Sequence, residues 1–198
     1  MKPIAPGIQQ WSCFSQDKQL DFNGLLLTVN DHCILVDPPP MEAADRVLVL
    51  NAPSVDYILL TNRDHVREAE ACRRDFNAKV YAPAADAPLM EIAVDKTYQD
   101  GELLPGGIWV IHLADMKSPG ESALFLDRGK GYVILGDALI GKPAGRLNLL
   151  PADKFADAAK AREGLTRLLK YNFDTVLVGD GTSILTGGKE AVRQALET

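Results

Sequence analysis

The sequence lacks the features that define several large classes of protein. It has only three cysteines in 198 residues, and Cys13, Cys33 and Cys72 form no Cys-x-x-Cys pair. An odd number without paired spacing argues against a disulfide framework and favours free thiols in a reducing compartment. We therefore expect a cytoplasmic location.

Long apolar runs and an excess of positive charge are missing as well. No segment approaches the roughly 18 consecutive apolar residues that a membrane-spanning helix needs, and we expect no secretory signal because the first residues contain no apolar stretch. The formal net charge of −6 disfavours nucleic acid and anionic membranes as partners. We therefore expect a small-molecule substrate or ligand, no nucleic acid and no membrane, with a homodimer as the assembly to consider.

The composition is that of a folded globular domain. Hydrophobic residues make up 46% of the chain and charged residues 24%, and the length fits one domain over residues 1–198. The pattern predicts strands over 9–14, 24–29, 33–37, 56–61, 80–82, 109–113, 122–127, 132–136 and 175–178. It predicts helices over 42–50, 66–76, 83–93, 152–172 and 187–197. Strands that cluster in two halves, each followed by helices, indicate two packed sheets with helices outside.

The most informative segment runs from residue 58 to residue 82. It has the pattern of a buried strand, a polar loop, an amphipathic helix and a second strand, and the loop carries Asn62, Asp64 and His65. A loop between the end of a strand and a helix often carries chemistry in α/β proteins. Adjacent Asp64 and His65 are potential metal ligands or an acid/base pair, whereas His32 and His112 are isolated.

Five segments together resemble the metallo-β-lactamase fold superfamily, in particular its hydroxyacylglutathione hydrolase-like members. They are ILVDPPP with Asp37, ILLTNRDH, IHLADMKSPGESALFL, YVILGDALIG with Asp137, and TVLVGDG with Asp180. This resemblance implies an α/β fold, a four-layer αββα sandwich of two mixed β-sheets with helices on the outer faces. It is less informative about activity, because one fold carries many functions.

The family's metal-binding motif, Thr-His-x-His-x-Asp-His, is only partly matched. Alignment on the preceding strand assigns its four ligands to Asn62, Asp64, Val66 and Arg67. Alignment on the following helix instead matches Asp64 and His65 to the Asp-His of the motif and makes the loop two residues short. We favour the second alignment, because a loop tolerates a deletion more easily than a buried helix face tolerates a shift.

The favoured alignment implies that one of the family's two metal sites is lost. Asn62 replaces one histidine, a second is deleted, and Met116 or Lys117 stands in place of the third. The ligands that remain are Asp64, His65, Asp137 and Asp180. Three carboxylates and one imidazole would suit Zn, Mn or Fe. The sequence leaves two alternatives equally open, either one bound divalent metal or no cofactor at all.

Without a metal, the clustered carboxylates need another cation, because like charges repel strongly in a poorly solvated cleft. Arg63 and Arg67 lie on the same loop, and Arg67 stands where the family has a glycine in the favoured alignment. A guanidinium bound to Asp137 or Asp180 would neutralise the cleft and prevent metal binding. Lys117 is a further cation that could pair with these carboxylates.

Two functions therefore remain open. In the first, a metal-activated water hydrolyses a thioester, ester or lactone, with Asp64 and Asn62 as catalytic residues and Asn62 orienting the water or donating to an oxyanion. In the second, the chain is a non-catalytic descendant, a pseudoenzyme, whose paired cleft binds a small ligand or a protein. Arg146, in the loop after Asp137, is either a contact for an anionic substrate or a solvated surface arginine.

Overall fold

The computed structural model describes residues 1–197, and its N-terminal half forms a seven-stranded β-sheet. The strands are β1 (Lys2–Ala5), β2 (Ile8–Ser15), β3 (Leu20–Val29), β4 (His32–Val36), β5 (Tyr57–Leu59), β6 (Lys79–Pro83) and β7 (Lys96–Tyr98). Each strand pairs with the next one in the sequence. Pairs from β1 to β4 are antiparallel and pairs from β4 to β7 are parallel, because tight turns connect the former and longer crossovers the latter.

The second sheet comes from the C-terminal half. Its strands are β8 (Leu103–Leu104), β9 (Ile108–His112), β10 (Ser122–Leu126), β11 (Tyr132–Leu135) and β12 (Thr175–Val178). They lie in the order β12-β11-β10-β9-β8, and only β11 and β12 are parallel among these pairs. Both sheets are therefore mixed.

Within residues 1–197, four α-helices cover the outer faces of the two sheets. They are α1 (Ala43–Leu50), α2 (Ala69–Phe76), α3 (Ala158–Leu165) and α4 (Gly188–Glu197). Buried residues of α1 and α2 cluster with the first sheet, and buried residues of α3 and α4 cluster with the second. None of the described helices is long and apolar enough to cross a membrane.

A third apolar cluster fills the space between the sheets. It joins Leu27, Ile34 and Leu59 of the first sheet to Leu124 and Ile134 of the second. Side chains alternate across a strand, so one face of each sheet packs on this central cluster and the other packs on helices. The prediction of a four-layer αββα sandwich is confirmed.

Two helix predictions were wrong in detail, and three strands were missed. The segment 83–93 contains only a short 3₁₀ turn, Ala87–Leu89, since Pro88 provides no N–H for a continuing helix. The segment 152–172 is divided into a turn, α3 and a second turn, because Phe155 is extended and Asp157 caps a new helix start. Strands β1, β7 and β8 were not predicted, because they are short and lack apolar alternation.

The fold brings the ends of several strands to one edge of the sandwich. Asp37 follows β4, the loop 60–67 follows β5, Asp137 follows β11, and Asp180 follows β12. Main-chain hydrogen bonds join the sheets at this edge, from Asn23 N to Gly179 O at 2.7 Å and from Gly181 N to the carbonyl of residue 21 at 2.8 Å. The polar residues of distant motifs therefore face one another.

Candidate functional site

The loop after β5 is shaped by two buried polar side chains. Asp37 accepts hydrogen bonds from the Thr61 main-chain N–H at 2.8 Å and from its hydroxyl at 2.5 Å. The Asn62 side-chain oxygen accepts from the main-chain N–H groups of Asp64 at 2.8 Å and His65 at 3.1 Å. Asn62 thus caps the 3₁₀ turn Arg63–His65, in the way that Asn caps longer helices.

His65 is buried between two carboxylates. Its Nδ1 lies 2.9 Å from Asp37 Oδ2, and its Nε2 lies 3.5 Å from Asp137 Oδ1. Burial and the nearby Arg67 lower the pKa of His65, but Asp37 and Asp137 outweigh them and raise it to about 10. The imidazole is therefore a protonated cation at neutral pH, with both nitrogens acting as donors.

The Arg67 guanidinium lies in the same part of the cleft. Its Nη2 is 2.6 Å from Asp180 Oδ1 and 3.4 Å from His65 Nε2. It also donates to the main-chain carbonyls of Asn23, Asp37 and Gly179 at 3.0, 3.3 and 3.3 Å. The group lies over the Phe22 ring, 4.8 Å from its centroid, so it is held on several sides at once.

Lys117 supplies the third positive charge. Its ammonium lies 2.7 Å from Asp137 Oδ2 and 3.1 Å from Asp64 Oδ2. Burial lowers the pKa of Lys117, but the two carboxylates raise it above its usual value. Burial raises the pKa of Asp137, yet His65 and Lys117 together hold it well below its usual range. Burial raises the pKa of Asp180 despite the opposite effects of His65 and Arg67.

These groups form the floor of a cleft of about 450 Å³. The floor is defined here as six residues: Asp64, His65, Arg67, Lys117, Asp137 and Asp180. The apolar wall of the cleft consists of Leu20, Phe22, Ile140, Leu150 and Pro151. The three rim lysines of the cleft are Lys18, Lys142 and Lys154.

The structure thus brings together most, but not all, of the residues singled out in the sequence. All six floor residues were among them. Arg63 and Arg146 do not line the cleft, and Arg146 is exposed. Asn62 is fully buried beneath the loop, so the expectation that it orients water or donates to an oxyanion is replaced by a role in shaping the turn. Its side-chain nitrogen has no hydrogen-bond partner among the described residues.

Two buried acidic residues beside the site, Glu121 and Asp86, were not predicted. Glu121 is fully buried below Asp137, and burial raises its pKa well above the usual value, with Asp137 adding to the effect. Asp86 accepts hydrogen bonds from the main chain of Arg63 and Gly120 at 2.8 Å each, so it also supports the loop. An acidic residue beside an apolar strand is the only sequence signal for Glu121, and nothing in the pattern marks Asp86.

Three of the predicted metal ligands lie close enough to share an ion. Donor atoms of His65, Asp137 and Asp180 all fall within 4.8 Å of one another, and Asp64 is not part of this group. As arranged, however, the set does not fit a divalent metal. Arg67 is bound to Asp180, Lys117 is bound to Asp137, and a protonated His65 has no lone pair for a metal.

An αββα sandwich with a polar cleft at the shared edge of its sheets defines a known structural class. The family model for the metallo-beta-lactamase superfamily matches residues 1–198. The chain therefore belongs to the metallo-β-lactamase superfamily. The match is to the superfamily as a whole, so the assignment to its hydroxyacylglutathione hydrolase-like branch stays a prediction.

Solved structures agree with this fold over nearly the whole chain. A metallo-beta-lactamase from Pontibacter korlensis is 16% identical with a TM-score of 0.77, covering 100% of this chain and 98% of that one. The DIM-1 metallo-beta-lactamase is 16% identical with a TM-score of 0.73, covering 98% and 96%. TTHA1623 in a di-iron-bound form is 26% identical with a TM-score of 0.69, covering 91% and 96%. A search of curated proteins gave no match.

Proposed function

We propose that this chain is a metal-independent member of the superfamily whose cleft binds a small ligand. The observation that carries the proposal is the position of the Arg67 guanidinium, which contacts Asp180 and lies beside His65 Nε2. Those two residues are also two of the three grouped metal donors. A metal at this place and the guanidinium would therefore be alternative occupants.

The contacts of Arg67 make its displacement costly. Its side chain is 9% exposed and that of Asp180 is 14% exposed, so the pair is largely shielded from water. Moving the guanidinium out would leave a buried carboxylate without its partner, which typically costs about 3–5 kcal/mol. It would also break hydrogen bonds to the main chain of Asn23 and Gly179.

The backbone at Arg67 supports the same interpretation. Its φ is +43°, in the left-handed region that non-glycine residues enter at a cost of about 1–2 kcal/mol. A glycine would adopt this conformation without strain, and glycine is what the favoured alignment implies for the family. An arginine here accepts backbone strain, and its charged contacts offset that cost.

The alternative is a hydrolase with a single metal. It is favoured by the spacing of His65, Asp137 and Asp180 and by the iron in the 26% identical neighbour TTHA1623. It requires Arg67 and Lys117 to leave their partners and His65 to lose a proton. Three coupled changes make it the weaker proposal.

Metal uptake distinguishes the two functions. The experiment compares the purified wild type with Arg67→Gly and Arg63→Ala. Each protein would be soaked in Zn, Mn or Fe(II) and desalted, and its bound metal would be measured by elemental mass spectrometry and titration calorimetry. We expect no stoichiometric ion in the wild type and uptake of one Zn or Fe(II) per chain in Arg67→Gly, because the partly exposed Lys117 ammonium and the His65 proton can give way to an ion once the buried guanidinium is gone. Arg63→Ala is the matched control, because it removes the same charge from the same loop outside the cleft.

Two outcomes would contradict the proposal. One tightly held ion in the wild type, lost in Asp137→Asn, would establish the metal site and favour the hydrolase, with thioesters, esters and lactones as the substrates to screen. Failure of Arg67→Gly to gain metal, with its fold intact by circular dichroism, would show that the guanidinium is not what excludes the ion.

A further inference from the structure

We infer that the cleft selects a small organic anion with an apolar body, for example a medium-chain carboxylate. This inference rests on the proposed function, since it names the class of ligand for the same cleft. It is carried by the distribution of charge between the floor and the rim of the cleft, and by the composition of its wall.

The floor of the cleft carries three acidic residues and three cationic groups, and the buried Asp37 adds a fourth carboxylate on the other side of His65. Asp180 pairs with Arg67, while Asp137 lies between Lys117 and His65. Asp64 shares the Lys117 ammonium. The carboxylates are therefore compensated where they stand, and the floor offers little attraction to a cationic ligand.

The rim, by contrast, carries positive charge that the cleft does not compensate. Among residues 1–197, no ion pair links Lys18 or Lys142 to a carboxylate, and Lys154 lies only near its sequence neighbour Asp153, at 3.8 Å. With Asp37 counted, the carboxylates of the floor exceed its cations by one, and the three lysines outnumber that excess, so the rim gives the mouth of the cleft a positive potential on a chain whose net charge is −6. Such a local reversal of sign concentrates anions at a concave site.

One rim lysine is fixed in place by the main chain. Lys142 Nζ donates to the carbonyls of Lys18 and Gln19, each at 3.1 Å. These contacts tie the loop after β11 to the turn between β2 and β3, on the side of the cleft where Lys18 lies. An ammonium has three N–H donors, so one donor of Lys142 remains for a ligand after both carbonyls are bound.

The apolar wall sets the other half of the ligand's character. Leu20, Phe22, Ile140, Leu150 and Pro151 all line the cleft, and side chains of this kind favour a hydrocarbon body over a sugar or a free phosphate. The cavity of about 450 Å³ lies in the range of pockets that hold small organic ligands. Flexible lysines bind an anion through charge and demand little of its geometry.

The test compares three probes that share a chain length and differ in charge. Octanoate, 1-octanol and octyltrimethylammonium would be titrated calorimetrically into the wild type in EDTA at low ionic strength. We expect octanoate to bind at least about tenfold more tightly than octyltrimethylammonium, and to weaken as salt is added. 1-Octanol should bind more weakly than octanoate, because it contacts only the wall.

Variants locate the binding site. Lys18→Gln with Lys154→Gln should weaken octanoate binding about tenfold, whereas Lys79→Gln with Lys160→Gln should change it less than about twofold. The second pair removes the same charge from exposed positions outside the cleft. Lys142 is left intact because its ammonium holds a loop, and thermal unfolding would check that both double variants fold.

The outcomes separate this inference from the proposed function. Equal binding of the three probes, or equal effects of the two double variants, would overturn the choice of an anion. No octanoate binding at millimolar concentration would also overturn it. If octanoate bound only after metal was added, the anion would be a metal ligand, so this inference and metal independence would both fail. If the purified wild type held a metal but still selected octanoate after EDTA had removed it, only metal independence would be overturned.

Discussion

Arg67 and Lys117, two of the three cations at the floor of the cleft, neutralise carboxylates in different surroundings. The Arg67 side chain is 9% exposed and makes an ion pair, three main-chain contacts and a ring contact. The Lys117 side chain is 32% exposed and contacts Asp64, which is 38% exposed, and Asp137, which is 7% exposed but keeps His65 as a second partner. Because water and salt weaken exposed pairs far more than buried ones, Arg67 should govern stability and Lys117 should contribute little.

The largest expected effect is the loss of Arg67. Arg67→Ala should lower the free energy of unfolding by about 3–5 kcal/mol, because Asp180 would remain buried without its partner. Arg67→Gly should cost about 1 kcal/mol less, since glycine adopts the φ of +43° without strain. Denaturation in urea with no metal present would measure both differences.

The pair of variants also provides its own control. Both remove the same ion pair, so their difference reports the backbone alone. Equal stability of Arg67→Ala and Arg67→Gly would contradict the argument from strain. A loss below about 1 kcal/mol in both would mean that the Arg67 pair behaves like an exposed one, and the contrast with Lys117 would disappear.

The sequence predicted the edge of the sandwich that carries the site but not how its charges pair. Asp137 and Asp180 each follow an apolar strand, and parallel pairing of β11 and β12 brings such strand ends together. The choice between Arg63 and Arg67 was open, because both lie on one loop. It is decided by the Asn62 cap and by the left-handed backbone at Arg67, which composition and spacing do not report.

The rim lysines show a second limit of sequence reasoning. Lys18, Lys142 and Lys154 come from three loops that are far apart in the chain, and each is an ordinary exposed lysine in its own segment. They become a group only through the packing of the two sheets. The overall charge of −6 gave no sign of a positive cleft, because a net charge averages over the whole surface.

A smaller effect is expected from the pH dependence of His65. The pKa of histidine is ordinarily 6.5, and that of His65 in the folded chain is about 10, so its contribution to stability is fully present below pH 6.5. That contribution is lost as the pH rises through about 10, because the folded state then gives up a proton that the unfolded state has already lost. We expect a decline on the order of 2 kcal/mol between pH 7 and pH 9.

The pH range of this measurement matters because two buried thiols also make the stability of the folded state depend on pH. Burial raises the pKa of Cys33 to about 11 and that of Cys72 to about 12, so both weaken the folded state only above pH 9. Urea denaturation from pH 7 to pH 9 therefore avoids the range in which these thiols ionise, and the comparison with His65→Gln separates the imidazole from Glu121, whose pKa is also raised by burial. His65→Gln should remove most of the slope, and an unchanged slope in that variant would assign the decline to another group.

The smallest expected effect is the loss of Lys117. Lys117→Met keeps the aliphatic stem and removes the ammonium, so it should lower the free energy of unfolding by about 0.5–1 kcal/mol, in line with a partly exposed pair. The effect should shrink further in 0.5 M salt, whereas that of Arg67→Ala should change little, because burial shields the Arg67 pair from ions. Urea denaturation of both variants at two salt concentrations measures this. The loss in Lys117→Met could instead equal that in Arg67→Ala and be equally insensitive to salt. That result would mean that exposure does not distinguish the two cations. Asp137 would then depend on Lys117 as strongly as Asp180 depends on Arg67.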